Sequence, residues 1–202
     1  HRLPVSPTPV AWSKEPKTGA SIRRSVADSN GAEFIVRSRS NCRYTALLCF
    51  WVESMDIWHS PINLARLQTW CNATAVEHLG IEFTDFGADW LAARMPVDRR
   101  TIQPFKLLHG GASVLLAETL GSCAANLCVD EAKWYCVGQE INANHLRAVR
   151  SGFVTGRASP IHLGRTSQVW EIRISDEAGK LTCISRLTMA VLERPKGATQ
   201  AR

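Results

Sequence analysis

Glu118 is the only charged residue in the stretch 112–128, ASVLLAETLGSCAANLC. A lone carboxylate in an apolar helix costs several kcal/mol unless it is paired or takes up a proton. Such a residue either turns to solvent or is kept as a base or nucleophile. Just upstream, His109-Gly110-Gly111 puts backbone without side chains at the head of the same helix. Unpaired N–H groups and the helix dipole there favour a developing negative charge, which is what an oxyanion hole requires. His-Gly-Gly alone reads equally well as a glycine turn. Followed eight residues later by a solitary Glu, it points to chemistry at a carbonyl, with one group to attack or to deprotonate and another to hold the oxyanion. Eight helical residues span about 12 Å at about 1.5 Å each, so one carbonyl cannot touch Gly110 and Glu118 of the same chain. If both act on one carbon, they come from different subunits and the site lies at a two-fold interface.

Several elements must position these residues. Ser60 followed by Pro61 reads as an N-cap and first helical position, with Ile62, Leu64, Leu67 and Trp70 on one face, predicting a helix over about 61–73. The β-prone runs 81–86 and 90–97 flank Gly87-Ala88-Asp89 and read as a hairpin. A loop carrying Gln103, Pro104 and Phe105 leads to His109. Residues 112–128 are rich in Ala and Leu, without proline or a β-branched cluster, and predict a buried helix. Strands follow at about 133–144, 151–160, 167–176 and 180–192, with Asp176-Glu177-Ala178-Gly179 as a hairpin turn. One apolar helix followed by hairpin-linked strands does not alternate as parallel units would. The fold class is therefore α+β, an antiparallel sheet with the helix on one face.

The 202 residues, 45% of them apolar, suffice for one domain. The net charge of +6 lies mostly before Met55, where eight Lys and Arg face four Asp and Glu, against sixteen and fourteen afterwards. No basic stripe interleaved with aromatics follows Met55, so no nucleic-acid partner is expected. The seven cysteines form no CxxC pair and are odd in number, which suits buried, reduced thiols in a cytoplasmic protein. None of the six histidines has a Cys or Asp at metal spacing, so no metal is expected. The longest apolar run, 44–52, is too short to span a bilayer, and no membrane partner is expected. It follows Arg37, Arg39 and Arg43 as a signal-peptide core would, but sits about forty residues in with no cleavage site after it. Residues 1–54 are expected to be a disordered or non-native extension, 55–193 the folded domain and 194–202 a disordered tail.

Four stretches then carry a resemblance: MPVDRRTIQPFKLLHGGASVLLAETLGS from Met95, GQEINANHLRA from Gly138, IHLGRTSQVWEI from Ile161 and SRLTMAVLE from Ser185. In this order and spacing they resemble the small hotdog-fold acyl-CoA thioesterases over residues 55–193, while 1–54 match nothing in that family. The resemblance implies a sheet wrapped around a long central helix, with two subunits sharing a continuous sheet and their active sites, commonly as a homotetramer. It implies that Glu118 is nucleophile or general base, that Gly110 N–H polarises the thioester carbonyl, that Gln103 and His109 assist beside it, and that Ser122, one turn beyond Glu118, holds the water or the carboxylate. It places coenzyme A against Gly138, against His145, Leu146, Arg147 and Ala148, and against His162, Leu163, Gly164, Arg165, Thr166 and Ser167. Arg147 and Arg165 suit phosphate, although each singly reads equally as a solvated strand end. His145 and His162 are expected to bind rather than catalyse. No cofactor is implied beyond the coenzyme A of the small-molecule substrate. The resemblance favours an aromatic acyl group: 1,4-dihydroxy-2-naphthoyl first, with a place in menaquinone synthesis, then benzoyl or phenylacetyl, then an aryl carrier-protein thioester.

Hotdog dehydratases carry proline where this chain has Gly110-Gly111, and no G-x-S-x-G elbow marks a serine hydrolase. A non-catalytic acyl-CoA-binding module is the alternative from another class. The complete set Gln103, His109, Gly110, Glu118 and Ser122 speaks against it, and thioester turnover separates the two.

Overall fold

The computed structural model describes residues 22–27, 33–38 and 56–195, in two units, His1–Trp51 and Val52–Arg202. In the first unit, β1 (Ile22–Ala27) and β2 (Glu33–Ser38) pair antiparallel, Ile22 opposite Ser38 and Ala27 opposite Glu33. Both strands lie within the stretch 1–54, the rest of which falls outside the described residues.

In the second unit, α1 (Leu64–Trp70) starts later and ends earlier than expected. Its cap is Asn63, not Ser60: Asn63 Oδ1 accepts from Arg66 N–H at 3.0 Å, satisfying one of the unpaired first-turn donors. Of the expected apolar face only Leu67 is buried, and Trp70 is 59% exposed. A short helix not foreseen, α2 (Ala75–His78), follows with Thr74 as its cap. β3 (Glu82–Phe86) and β4 (Leu91–Pro96) form the expected hairpin. The long helix α3 (Gly110–Leu127) begins two residues before the expected start. β5 (Trp134–His145), β6 (Phe153–Leu163), β7 (Ser167–Asp176) and β8 (Leu181–Glu193) complete one antiparallel sheet in the order β3-β4-β6-β7-β8-β5. Among the described residues β5 is an edge strand, paired only to β8.

Alternation decides which face α3 covers. On β7, Gln168, Trp170, Ile172 and Ile174 are buried while the residues between them turn outward. Leu116 and Leu120 of α3 are fully buried in the same core as Ile172, Ile174 and Leu187, each such leucine contributing about 1.5–3 kcal/mol. Small residues at 117, 121, 124 and 125 bring the helix close to the sheet, and a Cβ at Gly121 would collide with Leu187 Cδ2. Trp58 stacks on Trp170, ring centroids 6.5 Å apart. β6 continues beyond its expected end at 160 through a bulge between Pro160 and His162. Pro160 lies past the last β4 pairing, Leu91 with Ala158, so its missing N–H breaks no β4 bond. Arg194, expected in the loose tail, is held by Glu131 O at 2.8 Å and lies over the Tyr135 ring; 196–202 lie outside the described residues. Among the described residues, no helix is long and apolar enough to cross a membrane.

Candidate active site

The head of α3 is built around His109. It is the N-cap, at φ −70° and ψ 131°, and its Nδ1 accepts from Gly111 N–H at 2.8 Å, so the ring proton sits on Nε2. Its carbonyl accepts from Ala112 and Ser113 N–H at 3.0 and 3.2 Å. Gly110 N–H is left without a partner among the described residues. The cap explains the early helix start: once His109 claims Gly111, both glycines are helical. The preceding loop is pinned by Gln103 N–H to Leu107 O, Leu108 N–H to Val149 O and His109 N–H to Thr101 O, each at 2.8 Å. Gln103 Oε1 accepts from Phe105 N–H, leaving the amide NH₂ to donate elsewhere. A cavity of about 320 Å³ opens here, lined by Gln103, Leu107, Leu108, Gly110, Ser113 and Thr182 together with 145–148. His145 packs against Gly110, where a Cβ would lie 2.6 Å from its Nε2.

Glu118 sits two turns further along α3 and does not reach this cavity. It is half-buried, and Ser122 Oγ–H donates to its Oε1 at 3.3 Å. Burial pushes its carboxyl above the ordinary carboxylate range, opposed by the Ser122 hydrogen bond. No ion pair to it exists among the described residues. Gly138 of β5, read from the resemblance as a coenzyme contact, lies directly against this carboxylate.

Strand pairing gives a second ruler. His145 is opposite Cys183, whereas Val137 and Ser167 are both opposite Ala190. Seven residues of β8 separate those rows, roughly 23 Å at about 3.3 Å each. The expected site residues therefore form two groups within one chain. Gln103, His109, Gly110 and 145–148 gather at the head of α3. Glu118, Ser122, Gly138 and the β6–β7 turn, 162–167, gather at the other end. That turn is tied down by Gly164 N–H to Ser167 O and by Val191 N–H to Thr166 O, both at 2.9 Å. Arg147 and Arg165, one per group, are exposed and make no ion pair among the described residues.

Sequence reasoning missed Asn126. It continues a polar stripe at every fourth position, Glu118, Ser122 and Asn126, which was legible in an otherwise apolar helix. It also missed Ser113, 2% exposed and lining the cavity. The five described cysteines are free. Burial, before any other cause, pushes the Cys128 and Cys136 thiols up to about 12 and about 11, so they stay protonated. Cys42 and Cys49 lie outside the described residues.

The sequence model of the thioesterase superfamily matches residues 105–183, a span holding every residue of both groups except Gln103. The 1,4-dihydroxy-2-naphthoyl-CoA hydrolase of Escherichia coli is 53% identical to this chain over 136 residues, covering 67% of the chain and 99% of that protein. The chain belongs to the hotdog-fold thioesterases. A second relative of this thioesterase, the proofreading thioesterase EntH of Cronobacter turicensis, is 54% identical over 136 residues, 67% of this chain and 98% of that one. The crystal structure of a Haemophilus influenzae thioesterase superposes with a TM-score of 0.68 at 54% identity, covering 71% of this chain and 99% of the other. Its activity is thus thioester hydrolysis, and the six-stranded antiparallel sheet packed on α3 is the hotdog fold.

Proposed function

We propose that this thioesterase hydrolyses an aromatic acyl-CoA thioester in a site completed by a second copy of the chain. The observation that carries the proposal is a half-buried carboxylate, Glu118, which among the described residues has no counter-ion and stands about 12 Å along one helix from an N–H at Gly110 that no described residue claims. The thioester carbonyl oxygen accepts from Gly110 N–H of one subunit, with Gln103 NH₂ and His109 Nε2–H beside it. Glu118 of the other subunit either attacks the carbonyl carbon, forming an anhydride that water opens, or takes a proton from the attacking water. The C–S bond breaks, the coenzyme leaves as a thiolate and is reprotonated, and thioester plus water become acid plus thiol. Ser122 holds the carboxylate.

Arg147 of one group and Arg165 of the other suit the coenzyme phosphates, along a groove that includes Leu146, Ala148, His145, His162, Leu163, Gly164, Thr166 and Ser167. Leu107 and Leu108 give the cavity an apolar stretch of wall, which suits an apolar acyl group. Together with the substrate named for the E. coli relative, this favours 1,4-dihydroxy-2-naphthoyl-CoA and a cytoplasmic role in menaquinone synthesis. Benzoyl or phenylacetyl-CoA comes second and an aryl carrier-protein thioester third, the latter in keeping with the proofreading relatives. The working form is a homodimer, paired into a homotetramer, with no resident cofactor.

The test is thiol release from a panel of aromatic and aliphatic acyl-CoA esters and an aryl carrier-protein ester, by the wild type and by Glu118→Gln. Turnover greatest on an aromatic CoA ester and abolished in the variant is expected. Preference for aliphatic esters would sink the substrate reading, and a fully active variant would remove Glu118 from its role.

A further inference from the structure

Glu118, Ser122 and Asn126 lie one above another on the face of α3 turned to β5. The Asn126 carboxamide meets the Cys136 backbone twice: its Oδ1 accepts from Cys136 N–H at 2.9 Å and its Nδ2 donates to Cys136 O at 3.1 Å. The same Nδ2 donates to Ser122 O at 2.9 Å, so the acceptor and the donor group of the amide are both engaged. Two bonds to one residue's backbone fix both the slide and the rotation of the helix against the strand. Two residues along β5, on the same face, is Gly138. A Cβ there would collide with Glu118 Oε1, and the ladder to β8 shifts register between Gly138 and Glu140 at this point.

We propose that Asn126 and Gly138 are positioning residues for hydrolysis: the Asn126 amide sets the register of α3 on β5, and the missing side chain of Gly138 is the notch that the Glu118 carboxylate occupies. The proposal rests on the reading that Glu118 is the working carboxylate. Asn126 fixes where the Glu118 backbone stands, and Gly138 decides whether the carboxylate can lie against the sheet or must swing away. In this role Gly138 governs the chemical step rather than coenzyme affinity.

The test is Gly138→Ala in the full chain. The atom its methyl meets is the tip of a flexible side chain, so the fold absorbs it and the carboxylate moves. A displacement of about 1 Å at a reacting group costs on the order of 100-fold in rate. The expected result is a kcat loss of that order with KM within about threefold and an unchanged thermal midpoint. Raised KM with kcat kept would put Gly138 in the coenzyme groove and overturn the proposal. Glu118→Asp supplies the second background, since its carboxylate is one methylene shorter and clears the methyl. There Gly138→Ala should add little further loss, whereas the same fold-loss in both backgrounds would overturn the notch. Asn126→Ala, assayed well below its melting temperature, should lower kcat with KM kept; unchanged kcat would remove Asn126 from the proposal. Glu118→Gln measured alongside separates the two levels. Full activity in it removes the underlying reading, while an inactive Glu118→Gln beside an unaffected Gly138→Ala removes this inference alone.

Discussion

At Glu118 burial and a hydrogen bond pull in opposite directions, and burial prevails. A carboxyl with a raised pKa binds its proton more tightly in the folded than in the unfolded state. Stability therefore falls as pH rises between the two values, and the whole penalty is present above the folded one. Glu118→Gln removes that penalty, so its thermal midpoint should exceed the wild type's at neutral pH and converge with it in acid. Activity follows the opposite sign, because the working form is ionised. The acid limb of kcat/KM should lie above the ordinary carboxylate range, with turnover lost as pH falls through it; a limb at the ordinary value would contradict the burial account. Gly110, proposed as the oxyanion donor, allows a substitution that removes its N–H. It is the first helical residue, where proline is well accommodated, and His109 already has the extended ψ of 131° that a residue before proline prefers. Gly110→Pro should lower kcat by about 10²–10³-fold through loss of one N–H. Gly110→Ala, which keeps the N–H but presses on His145, should lose much less, and equal losses would assign the effect to His145 instead. Glu118 and His109-Gly110 stood out in the sequence as candidates because one charge in an apolar run and two adjacent glycines are local signals, whereas Ser122 entered only through the family resemblance. The contact between Glu118 and Gly138 was not legible, because it joins residues from a helix and a strand that only the tertiary fold brings together.

The strands were legible element by element, since β7 alternates cleanly and Asp176 to Gly179 is strong turn chemistry, with Gly179 at φ 74°. The first helix was not, because two capping signals three residues apart competed. Ser60-Pro61 offers a favourable first turn, but Asn63 supplies the acceptor that Arg66 N–H uses. Asn63→Ala should cost about 1 kcal/mol in denaturant unfolding, while Ser60→Ala leaves stability unchanged; the reverse order would restore Ser60 as the cap. The end of β6 was misjudged because proline reads as a strand terminator from sequence alone. Only the sheet order shows that β4 has already ended beside Pro160.

For the whole molecule, the rise of one helix and the rise of one strand agree that the candidate site residues fall into two separated groups within one chain, and the proposed function makes each group half of a site. Gly110 with His145 marks one end of the sheet, and Glu118 with Gly138 and the 162–167 turn marks the other. The separation of Gly110 from Glu118 was legible from helix rise alone, because about 1.5 Å per residue is a fixed quantity, and the proposal of a second subunit rests on that separation. Which coenzyme residues fall in which half was not legible, because it depends on the β5-β8-β7 pairing. The central claim is that one subunit's Gly110 works with its partner's Glu118. The most direct measurement mixes Glu118→Gln with Gly110→Pro, each expected to be strongly impaired alone, after subunit exchange. Random pairing places one intact site in each mixed dimer, so about a quarter of wild-type activity should return. A mixture no more active than its two components would contradict the shared site.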